Sequence, residues 1–411
     1  MGLFKRTNIV TRADKISEFT VNTAEYGSAV PEVIGTTRIS GNVIYYDDFT
    51  AHEHKETTKS GKGGGTRQTN ITYTYTVAVI LGLCEGAISG IGKVWRGKEI
   101  YDYPNDKIEL TAFMGTQNQQ PWAYVVGKHP DKAMPYAGLA YMAGVVDMGN
   151  SASLPQFNFE VKGKLLSTGD GVDVNPADYI RYVLDKVGLS NVPIDGLSNY
   201  RSFCANADLL ISSPPDSNPK QAQAIINDIC KLTNAYFFWS NDRFRIVPVE
   251  TRPVGEWTPD TTIRYNLTAD DFLPQSNGAM VTYSRKDSSE VYNSFPVEFI
   301  NRENAYEKET INYQLSQDIL DHGVRQASTT SAHYFYTKER AVKVAEMLAH
   351  KERLERNTYT FKLDWAFCRL EPADIVTITD PNIGVQNLTV RISSVNEANL
   401  AEDAHLAMLA K

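Results

Sequence analysis

The stretch that decides the fold is Thr72-Tyr73-Thr74-Tyr75-Thr76-Val77-Ala78-Val79-Ile80-Leu81-Gly82. Its first half alternates threonine with tyrosine, and its second half is continuously apolar. Alternation is typical of a strand with one exposed face, whereas a short apolar run is typical of a buried strand. Threonine, tyrosine, valine and isoleucine also favour strands over helices. The stretch therefore predicts one long strand that is half exposed at one end and buried at the other.

The length and composition are those of an ordinary globular protein with several domains. The chain has 411 residues, of which 42% are hydrophobic and 22% are charged. This length exceeds one ordinary core, so we expect roughly two to four domains. The net charge is -8. A general nucleic-acid binder needs a basic surface that displaces counterions, and the charge argues against that class of protein.

Four cysteines are spread along the chain without the CxxC spacing of a zinc site. Their apolar surroundings predict buried, reduced thiols for all four, at Cys84, Cys204, Cys230 and Cys368. The N-terminus lacks the apolar run of a signal peptide. No stretch reaches the roughly 18 apolar residues of a membrane span. We expect a chain that was made and folded in a cytoplasm.

The distribution of strand and helix signals predicts an α+β fold that is mostly β. Strand signals dominate before residue 165 and after residue 256, and helix signals cluster between them. We expect an N-terminal arm at residues 1–23 and a β-rich domain at 24–165. A small α+β domain follows at 166–255, then a β-rich domain with one long helix at 256–400 and a C-terminal tail at 401–411. The tail is expected to form a short helix, with Leu406 and Leu409 on one side, or to fray.

Three helix starts can be located from the sequence. Asn175-Pro176 places a capping side chain before a proline suited to the first helical position. Asn218-Pro219 repeats this pattern, and apolar residues at helical spacing follow each pair. A long helix is predicted from Thr337 onward. These positions put one helix pair in the small α+β domain and the long helix in the second β-rich domain.

A glycine-rich segment follows the first strands, at Lys59-Ser60-Gly61-Lys62-Gly63-Gly64-Gly65-Thr66. A phosphate-binding loop needs two glycines around four residues, then lysine and serine or threonine at a helix start. Here three glycines are contiguous and a strand follows, so the helix N-terminus that cradles phosphate is missing. The segment predicts a flexible hairpin tip.

Three further patterns could suggest chemistry. His52 and His54 share one face of a strand, but no third metal ligand is identifiable. Residues 170–178 are rich in aspartate, yet they lack the spacing of a calcium loop, and the helix start explains Asn175. Glu352 and Glu355 lie three apart on a helix end among lysines and arginines, which favours a solvated surface over an acid pair. We therefore assign no catalytic, cofactor-binding or metal-binding residue.

Several motifs occur in an order found in one family. They are Pro31-Glu32-Val33-Ile34-Gly35, the tyrosine-rich strand, Leu83-Cys84-Glu85-Gly86, Trp95-Arg96-Gly97-Lys98 and Leu370-Glu371-Pro372-Ala373-Asp374. Over roughly residues 24–400 the chain resembles tail-tip proteins of siphophages and gene transfer agents, including the N-terminal half of J-type host-specificity proteins. It departs from the family pattern at Ala87, where proline is usual, and at Ala373, where glycine is usual. The first change should loosen a turn without moving it.

The resemblance implies a structural baseplate hub with two β-barrel-like domains and a small α+β insertion. In that family three subunits form a ring of six similar units, which joins the hexameric tail tube or distal tail protein to a threefold tip. For this chain it implies a homotrimer at the distal tail tip of a virion, assembled in the host cytoplasm. The implied partners are distal tail, tail-tube and tape-measure proteins and a central fibre, with DNA only as cargo. No cofactor or enzyme activity is implied.

Two other functions stay open from the sequence. One is a receptor-binding adhesin, because J-type proteins usually continue into receptor-binding regions and this chain either lacks that part or is a fragment. The other is a cell-wall hydrolase carried on the tip. Under the hub hypothesis we expect subunit contacts at residues 55–67 and 127–148. The second stretch holds many apolar groups with weak periodicity, and the alternative is that it packs inside its own domain.

Overall fold

The computed structural model describes residues 8–16, 30–60, 66–215, 220–397 and 406–411. The chain forms two compact units. The first unit spans Met1–Leu165 and Ser213–Pro219, and the second spans Leu166–Ser212 and Lys220–Lys411. The predicted subdivision of the second unit near residue 255 remains a prediction.

The first unit is built almost entirely from strands. Its strands are β1 (Asn8–Arg12), β2 (Thr36–Ser40), β3 (Asn42–Ser60), β4 (Thr66–Glu85), β5 (Gly90–Arg96), β6 (Glu99–Asp102), β7 (Thr111–Met114), β8 (Leu139–Gly149) and β9 (Phe157–Lys162). Between β7 and β8 lie the helix α1 (Ala123–Lys128) and a 3-10 turn (Pro130–Lys132).

These strands make two sheets over a shared core. One sheet runs β1-β4-β8-β7 with β3 also on β4, and the other runs β2-β9-β5-β6. Apolar side chains from both sheets form one cluster, which includes Val77, Val79 and Phe159 at 0% exposure. The stretch quoted above lies within β4, and its apolar half is buried as predicted. Val77, Val79 and Leu81 pack into that shared core, and Ile80, on the opposite face, packs against Tyr141.

The second unit mixes helices with smaller sheets. Its helices are α2 (Pro176–Lys186), α3 (Leu197–Asn206), α4 (Ala222–Leu232), α5 (Ser316–His322) and α6 (Lys338–Leu354). Short 3-10 turns lie at Ser288–Glu290, Trp365–Phe367 and Pro381–Ile383. Its strands are β10 (Ile194–Asp195), β11 (Ala235–Ser240), β12 (Arg243–Pro248), β13 (Ile263–Leu267), β14 (Phe272–Leu273), β15 (Val281–Arg285), β16 (Ser294–Asn301), β17 (Glu307–Gln314), β18 (Thr330–Ser331), β19 (Asn357–Leu363), β20 (Ile375–Asp380), β21 (Val385–Glu397) and β22 (Leu406–Ala410).

Three sheets organise this unit. The largest has seven strands in the order β13-β20-β21-β22-β19-β14, with β15 also on β19. The two others run β10-β12-β11 and β17-β16-β18. The largest sheet has its own apolar cluster, in which Phe361, Ile378 and Ile392 are fully buried. The fold is thus α+β and mostly β, and this prediction is confirmed.

Two of the three predicted helix starts agree with the structure. The Asn175 side chain accepts a hydrogen bond from the Ala177 amide, 3.0 Å away, with Pro176 at the first helical position. Helix α6 begins just after Thr337, as predicted. Helix α4 begins at Ala222 with Gln221 as its N-cap, later than predicted, and Pro219 lies outside the described residues.

Two sequence predictions are wrong. Leu406–Ala410 forms neither a helix nor a frayed end, but the strand β22 between β19 and β21. Met408 and Ala410 are buried two residues apart, which is strand periodicity imposed by distant partners. Cys368 is exposed after the turn Trp365–Phe367, whereas the other three cysteines are buried. Burial raises the pKa of Cys230 to about 12, so its thiol stays protonated.

None of the helices in the described ranges combines the length and the apolar character that a membrane crossing requires.

Candidate functional site: an extended hairpin arm

The most distinctive surface of the first unit is a hairpin made by β3 and β4. The two strands pair without interruption from Asn42–Gly82 to Ser60–Thr66, apart from two local irregularities. Pairing between β4 and β8 stops at Tyr75. The remaining nine residues of β4 extend roughly 30 Å past that point, at about 3.3 Å per residue. We call residues 50–60 and 66–75 the arm; its glycine tip, 61–65, lies outside the described residues.

One face of the arm is apolar and is covered by the N-terminal segment. Ile71, Tyr73 and Tyr75 on this face are buried. Strand β1 pairs in parallel with β4 from Asn8–Arg67 to Arg12–Ile71. The Ile16 amide donates to the Tyr75 hydroxyl at 2.8 Å. β1 thus occupies the edge of β4 opposite β3, and Ile16, which follows it, contacts Tyr75 on this face.

A charged group holds the same face together. The Tyr73 hydroxyl and the Arg12 guanidinium each donate to the Glu53 carboxylate at 3.0 Å. Lys55 lies 2.6 Å from the other oxygen of that carboxylate. The hydrogen bond from Lys55, followed by that from Tyr73, lowers the pKa of Glu53 to about 2. Glu53 is thus an ionised anchor between β1 and β3.

The opposite face of the arm is polar and exposed, as predicted for His52 and His54. The two imidazoles pair with threonine hydroxyls across the hairpin, His52 with Thr76 at 2.9 Å and His54 with Thr74 at 2.7 Å. Each imidazole thus has a hydrogen-bond partner within the hairpin. The face is a hydrated surface of short hydroxyls and imidazoles.

The outer edge of β3 is open. Among the described residues β3 pairs with β4 alone, and the outer edge of its arm part, residues 50–60, has no strand partner. Such an edge is a template for another strand, and proteins commonly protect it with charges. Lys55 and Glu56 supply charges near the tip.

A polar cluster marks the base of the arm. At Asp48, φ is 52°, and the register of the hairpin shifts between Asp47 and Thr50. This bulge turns both carboxylates toward the segment that follows α1. Lys132 donates to Asp47 at 2.6 Å, and His129 lies 3.0 Å from Asp48. Each of these contacts lowers the pKa of its carboxyl group.

Within the described residues, this cluster is also a possible metal-binding site. Ligand atoms of Asp47, Asp48 and His129 lie within 4.8 Å of one another. Carboxylate and imidazole are suitable ligands for a divalent ion. However, Lys132 already neutralises Asp47, and His129 and Tyr124 occupy Asp48. These hydrogen bonds and ion pairs connect the base of the arm to the α1 segment. Sequence reasoning missed it because His129 is 81 residues from Asp48.

The aspartates of residues 170–178 lie in the second unit and face arginines. Asp173 is 1% exposed and accepts from Arg302 at 2.6 Å and from Arg340 at 2.5 Å. Asp178 accepts from Arg201 at 2.7 Å. Arg340 also donates to Asp170 at 2.9 Å, so Asp170 and Asp173 share one guanidinium and all three aspartates are paired with an arginine.

The two glutamates at the end of α6 are each paired with a lysine. Lys286 lies 2.9 Å from Glu352, and Lys411 lies 3.0 Å from Glu355. The interpretation as surface ion pairs therefore agrees with the structure, and the two carboxyl groups do not face a common cleft.

The prediction of a contact surface at residues 127–148 is wrong for its second half. Residues from Leu139 onward form β8, which lies inside the sheet between β4 and β7. Tyr141 and Met142 are fully buried. Met134 stays 58% exposed before the strand. The weak periodicity reflected a strand buried on both faces, which shows no alternation.

Comparisons with known proteins fit this architecture. Residues 221–395 match the sequence family described as putative phage tail protein. A chain of the virion of the native gene transfer agent particle has the same fold, with a TM-score of 0.67 at 17% identity. That match covers 100% of this chain and 88% of the other. No curated protein matches the sequence.

Two tail proteins of solved structure show weaker likeness. The 43 kDa tail protein of prophage MuSo2 from Shewanella oneidensis has a TM-score of 0.35 at 10% identity, covering 92% of this chain and 98% of that one. The tail protein from Neisseria meningitidis MC58 has a TM-score of 0.38 at 9% identity, covering 92% and 96%.

Residues 221–395 are thus similar to phage tail proteins, and the whole chain has the fold of a chain of the gene transfer agent virion. The resemblance to phage and gene transfer agent tail proteins that the sequence motifs predicted is confirmed.

Proposed function

We propose that this chain is the baseplate hub of a phage-like tail tip. Three copies form a ring that joins the hexameric tail tube or distal tail protein to the threefold tip and its central fibre. The observation that carries the proposal is the fold shared with a virion chain over the full length of this protein. Two strand-rich units per chain support it, because three copies then offer six units to a sixfold partner.

The arm is the proposed means of assembly. Its β3 edge, at residues 50–60, has no strand partner among the described residues and offers backbone donors and acceptors for pairing. Strand addition gives affinity through main-chain hydrogen bonds, and alternate side chains give specificity. Obligate interfaces of this kind bury roughly 2,000 Å2 or more. The contact segment at residues 55–67, which includes the tip, is part of this proposal.

The proposed setting follows from the same role. The hub lies at the distal tail tip, is assembled in the host cytoplasm, and contacts distal tail, tail-tube, tape-measure and central-fibre proteins. DNA passes only as cargo. We propose no catalytic role, and the similar proteins named above are structural tail and virion components. Burial of strand edges between subunits is then the whole activity.

Electron cryo-microscopy of the intact virion tests this function. The expected result is density for three copies of this chain in a ring at the end of the tail that lies away from the head. A particle lacking the gene should lack that ring and its central fibre. Density for the chain along the tail tube, at the head, or in radial receptor-binding fibres would contradict the proposal, and the last would favour an adhesin.

A further inference from the structure

A small cavity in the second unit lies between β11, α6 and β21. Its volume is about 90 Å3, several times the space that one water molecule needs. Its wall includes Tyr236 from β11, His350 and Lys351 from α6, Arg391 from β21, and the neighbouring Glu355 and Lys411. The cavity thus combines apolar surface, including Val249 and Leu354, with several cationic groups.

Arg391 is the distinctive group in this wall. Its guanidinium has no salt bridge and no side-chain hydrogen bond within the described part of the chain. Burial lowers the pKa of Arg391 below its usual value. Arg302 and Arg340, in the same unit, are both held by the buried Asp173 carboxylate. A partly buried cation without a partner costs free energy that a bound anion would recover.

Nearby carboxylates are engaged elsewhere. Glu355 also lines the cavity, but it lies 3.0 Å from Lys411 and 3.9 Å from Lys351. Glu250 pairs with Arg252 at 3.3 Å. Asp260 pairs with Arg264 at 3.1 Å. Among side chains, the described wall therefore carries three cations, at Lys351, Arg391 and Lys411, against the one carboxylate of Glu355.

We propose that this cavity binds one oxyanion group, a carboxylate or a phosphate, on the Arg391 guanidinium. The planar fork of an arginine matches two oxygens of such a group and can bind both at once. The group has two sources, a free ion or an acidic side chain of a polypeptide. The cavity is large enough for one carboxylate or phosphate group and too small for a helix or a strand.

The test follows the side-chain Nε–Hε signal of Arg391 by NMR in the full chain, with the thermal midpoint measured in parallel. The titrants are inorganic phosphate, a blocked Gly-Glu-Gly peptide and its Gly-Gln-Gly counterpart. The variant is Arg391→Gln, and the matched control is Arg369→Gln, at an exposed arginine.

Phosphate or the glutamate peptide is expected to shift the Arg391 signal and to raise the midpoint by mass action. The glutamine peptide should do neither. Arg391→Gln should lose the response and keep a midpoint at or above wild type without ligand, while Arg369→Gln should behave as wild type. Response to phosphate alone assigns a free ion, and response to the peptide alone assigns a side chain. A wild-type signal that moves with neither, or an Arg391→Gln variant that still responds or is less stable, overturns the proposal.

Discussion

At the scale of single residues, Asp173 is a buried carboxylate that pairs with two arginines of the second unit. It is 1% exposed and balances both Arg302 and Arg340, and it also accepts from Ser212 at 2.5 Å. Removing one partner of a buried pair leaves the other charges without compensation, which typically costs about 3–5 kcal/mol. We expect Asp173→Asn to lower the free energy of unfolding by about that amount, as measured by urea denaturation.

The control for this variant is an exposed ion pair of similar geometry. Asp185 lies 2.8 Å from Arg181 one helical turn away, and its side chain is 46% exposed. Such surface pairs contribute about 0–1 kcal/mol. Asp185→Asn should therefore change the unfolding free energy by less than about 1 kcal/mol. Equal losses in the two variants would show that the buried network does not carry the stability assigned to it.

Glu53 gives the arm a defined pH dependence. Lys55, then Tyr73, lowers the pKa of Glu53 to about 2 from an ordinary 4.5. A lowered folded-state pKa contributes stability that is present above about pH 4.5 and is lost as pH falls toward about 2. The Glu53 carboxyl carbon should titrate near 2 by NMR, and Lys55→Gln or Tyr73→Phe should raise that midpoint. A distant Lys93→Gln should leave it unchanged, and a wild-type midpoint near 4.5 would refute the contact.

At the scale of elements, the arm should be separable from folding. We expect excision of residues 56–70, with an Asn-Gly turn joining Lys55 to Ile71, to keep the paired base of the hairpin. The shortened chain should then fold but fail to enter the tail, because the extended β3 edge is gone. Circular dichroism and virion incorporation measure the two properties.

The matched control removes only the tip at residues 61–65. That chain keeps both strands of the arm and should be incorporated if the β3 edge makes the contact. Normal incorporation of the 56–70 excision would exclude the arm as an assembly element.

Whether an element could be predicted depends on how far apart in the sequence its interacting residues lie. Strand β4 could be predicted because Thr72–Gly82 itself contains the alternation and the apolar run of a strand. Strand β22 was not, because its conformation is imposed by β19 and β21. The Asp48–His129 contact and the Asp173–Arg340 pair join residues 81 and 167 apart. No local pattern encodes such contacts, whereas the Asn175 cap is encoded within two residues.

At the scale of the whole molecule, the chain has two units with separate cores. A family match over residues 221–395 lies within the second unit, and the fold match spans the full chain. In the clusters described above, the carboxylates that approach one another are neutralised by cations of the same chain.

The stoichiometry of the isolated assembly tests the hub most directly. Native mass spectrometry of the full chain, alone and mixed with its distal tail protein, should give a complex with three copies of the 45.9 kDa chain. A chain that remains monomeric at high concentration and beside that partner would contradict the hub.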